Sequence, residues 1–294
     1  METIFERVCI AGAGPMGTSL GLALKRAGVA GRIVGWDREP ARMQAALDRG
    51  AFDAITAFPQ DVVGECDLLV AAVPTHEVTE VARRYGARLG EGAVFMDVCS
   101  IKAGVFEACV SLLSASATYV SVHPWVTLDG PGRADAFDGA LCVVCPEPQV
   151  RGVDDHGRAA LVAALWASLG CEVRAMAHDE HDLVRAAYVD LPRILAAAQL
   201  TTLTELAEAF SGLGHGGQEV FEAQTRVLGT GHGVAAELDA NQAAVLAVLP
   251  RMISVLEDLK GWLETRSTDR VAALCEEASE GRAALLRRKE GADD

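Results

Sequence analysis

A glycine-rich segment near the amino terminus has the spacing of a phosphate-binding turn. Residues Gly12–Gly17 read GAGPMG and match the pattern GxGxxG. The segment follows an apolar run and precedes a helix-like stretch, which is the context that a dinucleotide-binding turn requires. Gly12 would allow the tight turn, Gly14 would let the backbone approach a pyrophosphate, and Gly17 would let helix and strand pack closely.

The cofactor that this turn would hold is predicted from the residues around it. Pro15 and Met16 lie in the first helical turn, where a missing N–H is tolerated and the helix dipole favours an anion. Asp37 ends the next predicted strand, where a carboxylate binds ribose hydroxyls and repels a 2′-phosphate, so NAD is favoured over NADP. Arg38 would partly offset that repulsion. The expected cofactor-binding set also includes Val73 and Pro74, at the end of the third predicted strand.

Two polar residues follow later strands, at the sheet edge where parallel sheets bind ligands. Ser100 lies just past a strand that ends at Val98, and His123 directly follows the apolar run 119–122. A histidine beside a nicotinamide suits a general base, because its unperturbed pKa is about 6.5. The alternatives are a loop histidine without a catalytic role at His123 and a helix N-cap at Ser100.

The elements that position these residues indicate an α/β fold, a Rossmann-type doubly wound sheet followed by an all-helical C-terminal domain. Strand-like and helix-like segments alternate to about residue 174, and a helix is predicted over 158–169. We expect a dinucleotide-binding domain at 1–175 and a helical substrate and dimerisation domain at 176–294. The predicted strands are 7–11, 32–36, 67–73, 93–98, 119–122 and 141–144.

The second half contains no convincing strand, and its apolar residues recur every three or four positions. Pro192 and Pro250 are expected to kink or divide its helices, and 211–217 reads as a connector. Helical domains of two-domain dehydrogenases often pack against a second subunit, so a homodimer is favoured over a monomeric bundle.

Charge and composition exclude several partners. The 294 residues carry 26 Lys and Arg against 41 Asp and Glu, a net charge of −15, which gives no footprint for nucleic acid or an anionic membrane. No signal sequence or membrane-spanning run is recognised, and eight cysteines in mostly apolar segments favour a cytoplasmic protein with free thiols. No metal site is predicted, because Cys142 and Cys145 lie on a strand and His178–His181 reads as a solvated helix start.

Five segments together make the chain similar to the prephenate and arogenate dehydrogenases of tyrosine biosynthesis. The more specific part is a strand followed by Ser-x-Lys and, about twenty residues later, His-Pro. The resemblance continues more weakly through 181–182 and 225–227. The five segments are Gly12–Gly17, Val34–Arg38, Val73–Pro74, Asp97–Lys102 and His123–Pro124.

The resemblance implies a mechanism and roles for three residues. His123 would take the proton of a cyclohexadiene ring hydroxyl, hydride would pass to NAD, and the ring carboxylate would leave as CO₂. Ser100 would orient the histidine and the hydroxyl. Arg226 would hold the substrate carboxylate, to which a guanidinium can bind through two hydrogen bonds.

The chain also departs from the family pattern around the substrate. Ser-His-Leu-Pro-His is replaced by Val-Asp-Leu-Pro-Arg at 189–193, and Trp125 follows His-Pro where the family has Met. Arg193 could replace a histidine as carboxylate partner, and Asp190 could accept an ammonium group, as on arogenate or 4-amino-4-deoxyprephenate. Alternatively, these two residues pair with each other. Lys102 could neutralise substrate or cofactor charge, or lie on a helix face.

Two other functions compete with this reading. A β-hydroxyacid dehydrogenase has a similar glycine-rich turn and a helical C-terminal domain, but the helix with lysine and asparagine on which it relies is not found. A non-catalytic NAD-binding sensor would explain the lost pocket histidines, although Ser100, His123 and Arg226 are retained.

Overall fold

A single eight-stranded sheet forms the first part of the molecule. The computed structural model describes residues 2–128, 130–146, 156–205, 222, 225–228 and 231–290, so the predicted connector 211–217 lies outside the described residues. The strands are β1 (Phe5–Ala11), β2 (Ala30–Trp36), β3 (Ala54–Ile55), β4 (Leu68–Ala71), β5 (Val94–Asp97), β6 (Thr118–Pro124), β7 (Leu141–Pro146) and β8 (Glu172–Ala175).

The strand order is β3-β2-β1-β4-β5-β6-β7-β8, and neighbouring strands are parallel except for the β6–β7 pair. The order reverses between β1 and β4, which is the doubly wound arrangement expected from the sequence. The predicted fold class is therefore confirmed. Two strands escaped prediction because their sequences carry little apolar pattern: β3 has only two residues, and β8 is mostly exposed at the sheet edge.

Ten α-helices are described. They are α1 (Pro15–Ala27), α2 (Pro40–Asp48), α3 (Thr75–Tyr85), α4 (Ala103–Val110), α5 (His156–Ser168), α6 (His178–Arg185), α7 (Leu191–Glu205), α8 (Gly231–Ala240), α9 (Gln242–Glu264) and α10 (Thr268–Glu290).

Helices cover both faces of the sheet, and each face has its own core. Alternate residues of a strand point to opposite faces, so Ile10 of β1 belongs to one core and Cys9 to the other. The first core includes Leu24 of α1 and Trp166 of α5, while the second includes Val105 of α4. Because both faces are buried, the central strands are mostly apolar, and the carboxyl ends of the parallel strands lie along one edge of the sheet.

The chain divides into two compact units, residues 1–244 and 245–294. The sheet ends at Ala175, and helices follow. The boundary at 175 and 176 remains a prediction. Among the described residues, no helix is long and apolar enough to cross a membrane.

The two prolines of the helical part lie at different places in their helices. Pro250 lies inside α9, which continues through it, so this residue does not divide a helix, and a kink there remains a prediction. Pro192 is the second residue of α7, where a missing N–H costs little. It follows a π-helical turn, Ala186–Asp190, that joins α6 to α7. Such turns insert one extra residue per turn and often mark functional sites.

Candidate active site

The glycine-rich turn has the shape that the sequence predicted. Gly12 has φ +103°, and a Cβ built there would lie 2.3 Å from the Ala72 carbonyl oxygen. A Cβ on Gly17 would lie 1.9 Å from the Gly12 oxygen. Only glycine fits at these two positions. A Cβ on Gly14, by contrast, would meet no atom within 4 Å, so the space before Gly14 is open.

Asp37 and the turn are in direct contact. The Asp37 carboxylate accepts hydrogen bonds from the N–H of Ala13, at 2.8 Å, and from that of Glu39, at 2.9 Å. Pro15 is the first residue of α1, and Met16 is half-buried beside it. Val73 and Pro74 lie across the turn, since a Cβ on Gly12 would approach Val73 Cγ1 to 3.2 Å.

The structure thus brings the predicted cofactor residues together at the carboxyl edge of β1, β2 and β4. Arg38 lies at the rim, where its exposed guanidinium pairs with Glu77 at 2.7 Å. The hydrogen bond from the Ala13 N–H to Asp37 ties the end of β2 to the turn that opens α1.

A fully buried ion pair lies at the end of β5. Lys102 Nζ is 2.5 Å from Asp97 Oδ1, and neither side chain is exposed. Tyr119 OH and Ser121 Oγ donate to the other carboxylate oxygen, at 2.8 and 2.6 Å. Burial alone would raise the pKa of Asp97, but the charge of Lys102 and the donated hydrogen bonds outweigh it and lower that pKa. Asp97 also raises the pKa of Lys102 against the effect of burial, so both groups stay charged.

The ion pair closes the loop that carries Ser100. Asp97 accepts from the N–H and the thiol of Cys99, and Lys102 closes the other end. Ser100 is half-buried between them. Asp182 of α6 binds the next two N–H groups, those of Lys102 and Ala103, at 2.8 Å each. These are free N–H groups at the start of α4, so Asp182 caps that helix from another part of the chain.

His123 is held by a second histidine. Its Nδ1 lies 2.9 Å from Nε2 of His181, and His181 Nδ1 lies 2.8 Å from Asp182 Oδ1. A carboxylate only accepts, so a neutral His181 donates from Nδ1 to Asp182 and accepts at Nε2 from the N–H of His123 Nδ1. The lone pair of His123 is then on Nε2, which is the tautomer that a proton acceptor needs.

His123 lies in an environment that keeps it neutral. Burial lowers its pKa well below the usual value, and the positive charges of Lys102 and Arg185, together with His181, act in the same direction. Trp125 adds to this burial, since the centroids of its ring and the His123 ring are 5.3 Å apart. Burial likewise lowers the pKa of His181, although the hydrogen bond to Asp182 opposes the shift.

Two of the expected substrate residues lie elsewhere. Lys102 does not face a ligand, because its ammonium group is fully buried against Asp97 and the Val122 carbonyl. Asp190 is also fully buried and binds Arg185 through both carboxylate oxygens at 2.6 Å, so it is not available for a substrate ammonium group. The suggested pairing of Asp190 with Arg193 is wrong as well, since Arg193 pairs with Glu237.

The segments that carry Arg193 and Arg226 are in contact. Arg226 is exposed and begins a short 3₁₀ helix, Arg226–Leu228. Arg193 Nε donates to the carbonyl of Val227, at 3.3 Å. Arg193 is partly exposed, with 22 % of its side chain accessible. The two guanidinium groups therefore stand on adjoining segments of the helical part.

Three residues of the site were missed from the sequence. The segment His178–His181 was expected to be a solvated helix start, but both histidines are buried and His181 touches His123. Asp97 and Asp182 were not singled out either. The resemblance did include 97–102 and 181–182, and that was the available signal. No cluster of metal-ligating side chains occurs among the described residues.

The fold and the site define a dehydrogenase with a Rossmann-type nucleotide-binding domain. Residues 20–175 match the family described as prephenate dehydrogenase, nucleotide-binding domain. The probable prephenate dehydrogenase NovF of Streptomyces niveus is 30 % identical over 262 residues, which cover 86 % of this chain and 68 % of that protein. The chain belongs to the prephenate dehydrogenase family, and the predictions of this family and of a nucleotide-dependent dehydrogenase are confirmed.

Solved structures agree with this assignment at the level of the fold. The prephenate dehydrogenase of Aquifex aeolicus, in complex with hydroxyphenyl propionate and NAD⁺, gives a TM-score of 0.83 at 24 % identity and covers 95 % of this chain and 98 % of that one. The arogenate dehydrogenase of Synechocystis gives 0.79 at 20 % identity and covers 95 % and 99 %.

Gly14 offers a test of the nucleotide site that is separate from folding. We expect Gly14→Ala to leave thermal stability nearly unchanged, because the added methyl meets no protein atom. The same methyl should stand where a pyrophosphate approaches and weaken binding of the reduced cofactor about tenfold or more, measured by calorimetry. Gly157→Ala on α5, which is equally free of contacts, is the matched control and should bind normally. Equal affinity of both variants would contradict the assignment of this turn.

Proposed function

We propose that this protein catalyses the NAD-dependent oxidative decarboxylation of a prephenate-like cyclohexadienyl dicarboxylate to an aromatic product. The observation that carries the proposal is the chain of contacts from His123 through His181 to Asp182 at the carboxyl edge of the sheet. Family membership supports the reaction class. The hydrogen bonds from His123 to His181 and Asp182 support His123 as a base whose Nε2 is free to accept a proton.

His123 Nε2 accepts the proton of the substrate's ring hydroxyl. As that proton leaves, the C–O bond becomes a carbonyl, and the carbon bearing the oxygen would lose hydride to a bound nicotinamide. Loss of the ring carboxylate as CO₂ then makes the ring aromatic, and the phenolate oxygen that results takes the proton back from His123. Asp182 stabilises, through His181, the positive charge that His123 gains. Hydrogen bonds in a series polarise one another, so the bond from His181 to Asp182 strengthens the bond from His123 to His181. Asp182 and His181 are thus positioning residues for the base.

Ser100 and the two arginines supply the remaining polar groups. Ser100, on the loop closed by Asp97 and Lys102, orients the substrate hydroxyl toward His123. Arg226 holds a substrate carboxylate, and Arg193 supports it from the adjoining segment. The substrates to be tested are prephenate, arogenate and 4-amino-4-deoxyprephenate. In the last of these, a ring amino group stands in place of the hydroxyl, so His123 would take a proton from nitrogen.

NAD is the proposed nicotinamide cofactor. The Asp37 carboxylate lies at the end of β2 and already binds the turn that opens α1. A ribose 2′-hydroxyl can donate to that carboxylate, whereas a 2′-phosphate would be repelled by it. Arg38, which could attract such a phosphate, is paired with Glu77. When bound, the nicotinamide accepts the hydride.

His123→Asn should abolish most of the turnover. A general base contributes on the order of 10²- to 10⁴-fold, so kcat should fall by that factor while the dissociation constant of NAD stays the same. The measurement is the release of reduced cofactor and CO₂ on the three-substrate panel. Equal turnover by wild type and variant would show that His123 is not the base. If wild type binds NAD but no substrate of this class reduces it, the non-catalytic sensor is the better description.

Arg226→Met should raise KM for the active substrate. Loss of one charge-assisted contact of about 1.5–3 kcal/mol corresponds to roughly 10- to 100-fold. Arg282→Met, which neutralises an exposed arginine on α10, is the control and should change KM little. Steady-state kinetics at constant salt give both values, and a similar KM for the two variants would remove Arg226 from the substrate site.

We also propose a homodimer formed through the helical part, in the cytoplasm. Four large apolar side chains of α9 are exposed at a helical spacing of seven, three and seven, which is a stripe that a second subunit would cover. Seven of the eight cysteines are buried, and all eight are free thiols, in keeping with a reducing compartment. The stripe comprises Leu246, Ile253, Leu256 and Leu263.

Leu256→Glu should turn the dimer into a monomer. A carboxylate in the centre of an apolar contact would be buried without a partner, which is strongly unfavourable. Light scattering coupled to size exclusion measures the mass. Phe58→Glu changes an exposed aromatic residue outside α9 and should leave the mass unaltered. A wild-type protein that is monomeric at micromolar concentration would rule out the proposed dimer.

A further inference from the structure

Lys102 is a charged side chain buried beneath the candidate active site. Its ammonium group has no solvent exposure, and its partners are the Asp97 carboxylate at 2.5 Å, the Val122 carbonyl at 2.8 Å and the Cys99 sulfur at 3.7 Å. A buried ion pair adds little net stability compared with apolar side chains of similar size. Stability alone therefore does not explain why this buried ion pair is present.

The position of the ammonium group follows from where β5 ends. Asp97 is the last residue of β5, and its pairing with Ser121 is the last pair between β5 and β6. Strand β6 continues past this point to Pro124. Lys102 Nζ donates to Val122, the first residue of β6 beyond the last β5 pair. The Val122 carbonyl therefore accepts a hydrogen bond from the Lys102 side chain, where β5 no longer supplies a backbone N–H. This carbonyl belongs to the peptide group that joins Val122 to His123.

We propose that Lys102 is a positioning residue for the reaction, which holds the main chain that carries His123 and presents a positive charge beneath that ring. The proposal rests on the proposed function in naming His123 as the base. It assigns to Lys102 a role that involves no contact with substrate or cofactor. Asp97 acts through Lys102, because it fixes the ammonium group in place.

The charges around His123 come from three elements. Lys102 precedes α4, His181 and Arg185 belong to α6, and Asp97 ends β5. After burial, Lys102 is the largest electrostatic contribution to the lowered pKa of His123, followed by His181 and Arg185. Asp182 acts on the ring through His181. Burial first, and the charge of Lys102 after it, therefore hold the pKa of His123 well below its ordinary value.

Two variants separate this role from simple support of the core. Lys102→Met keeps an unbranched side chain of similar length and removes the charge and the donors. The double variant Asp97→Asn with Lys102→Met removes both charges, so no carboxylate is left buried without its partner. Leu24→Ala is the stability control, since it costs about 2–5 kcal/mol in the core at the far end of α1, away from the carboxyl edge.

The readouts are the titration of His123 and the pH dependence of turnover. Histidine labelled at Cε1 is followed by NMR, and the His123 signal is assigned by its loss in His123→Asn. We expect the pKa of His123 to rise by about one unit in Lys102→Met, and by less in the double variant, which also loses the opposing charge of Asp97. The acid limb of kcat should move to higher pH, and kcat should fall on the order of 10²-fold, while the KM for NAD stays close to wild type.

The NMR titration decides the proposal independently of the reaction. If the substrate panel is inactive, the proposed function fails, but a raised pKa of His123 in the variants still supports the coupling to Lys102. A folded Lys102→Met variant in which His123 titrates as in wild type overturns the proposal, whatever its rate. Failure of both Lys102 variants to fold, with Leu24→Ala folded, also overturns it, since Lys102 would then be a core residue only.

Discussion

The ion pair of Asp97 and Lys102 is the interaction on which the site depends. It is buried where β5 ends, and water cannot replace either partner. Removing one partner would leave a lone buried charge, at a cost of about 3–5 kcal/mol, so the two groups constrain each other. Asp97 holds the start of the loop with Ser100, and Lys102 holds its end and the peptide before His123. One pair of charges thus sets the relative position of two candidate catalytic side chains.

Helix α6 contacts the loop between β5 and α4, next to the same ion pair. Asp182 caps α4 by binding the N–H groups of Lys102 and Ala103, and it binds His181, which in turn contacts His123. One carboxylate therefore links the loop of the sheet, the helix that follows it and the base. This explains why a short polar segment at the junction is buried. A change in the position of α6 would alter the ring of His123 and the start of α4 together.

The sequence predicts most of the sheet because parallel strands buried on both faces are continuous apolar runs. It predicts the glycine turn because only glycine fits at Gly12 and Gly17. The roles of Lys102 and His181 could not be predicted from the sequence. Charged and polar residues are expected to be exposed to solvent unless their partners in the folded structure are known. Asp190 was misassigned for a local reason: helical spacing predicts pairs at three or four residues, whereas the π-helical turn places Asp190 against Arg185, five residues away.

Asp190 and Arg193, two departures at 189–193 from the pattern that the resemblance predicts, belong to a charge-balanced group. Arg185 binds both Asp190 and Glu237, and Glu237 also binds Arg193. Two positive and two negative groups thus compensate each other, and Asn241 adds a hydrogen bond to Asp190. These matched charges keep α6, α7 and α8 in contact, so Asp190 and Arg193 act in packing the helical part.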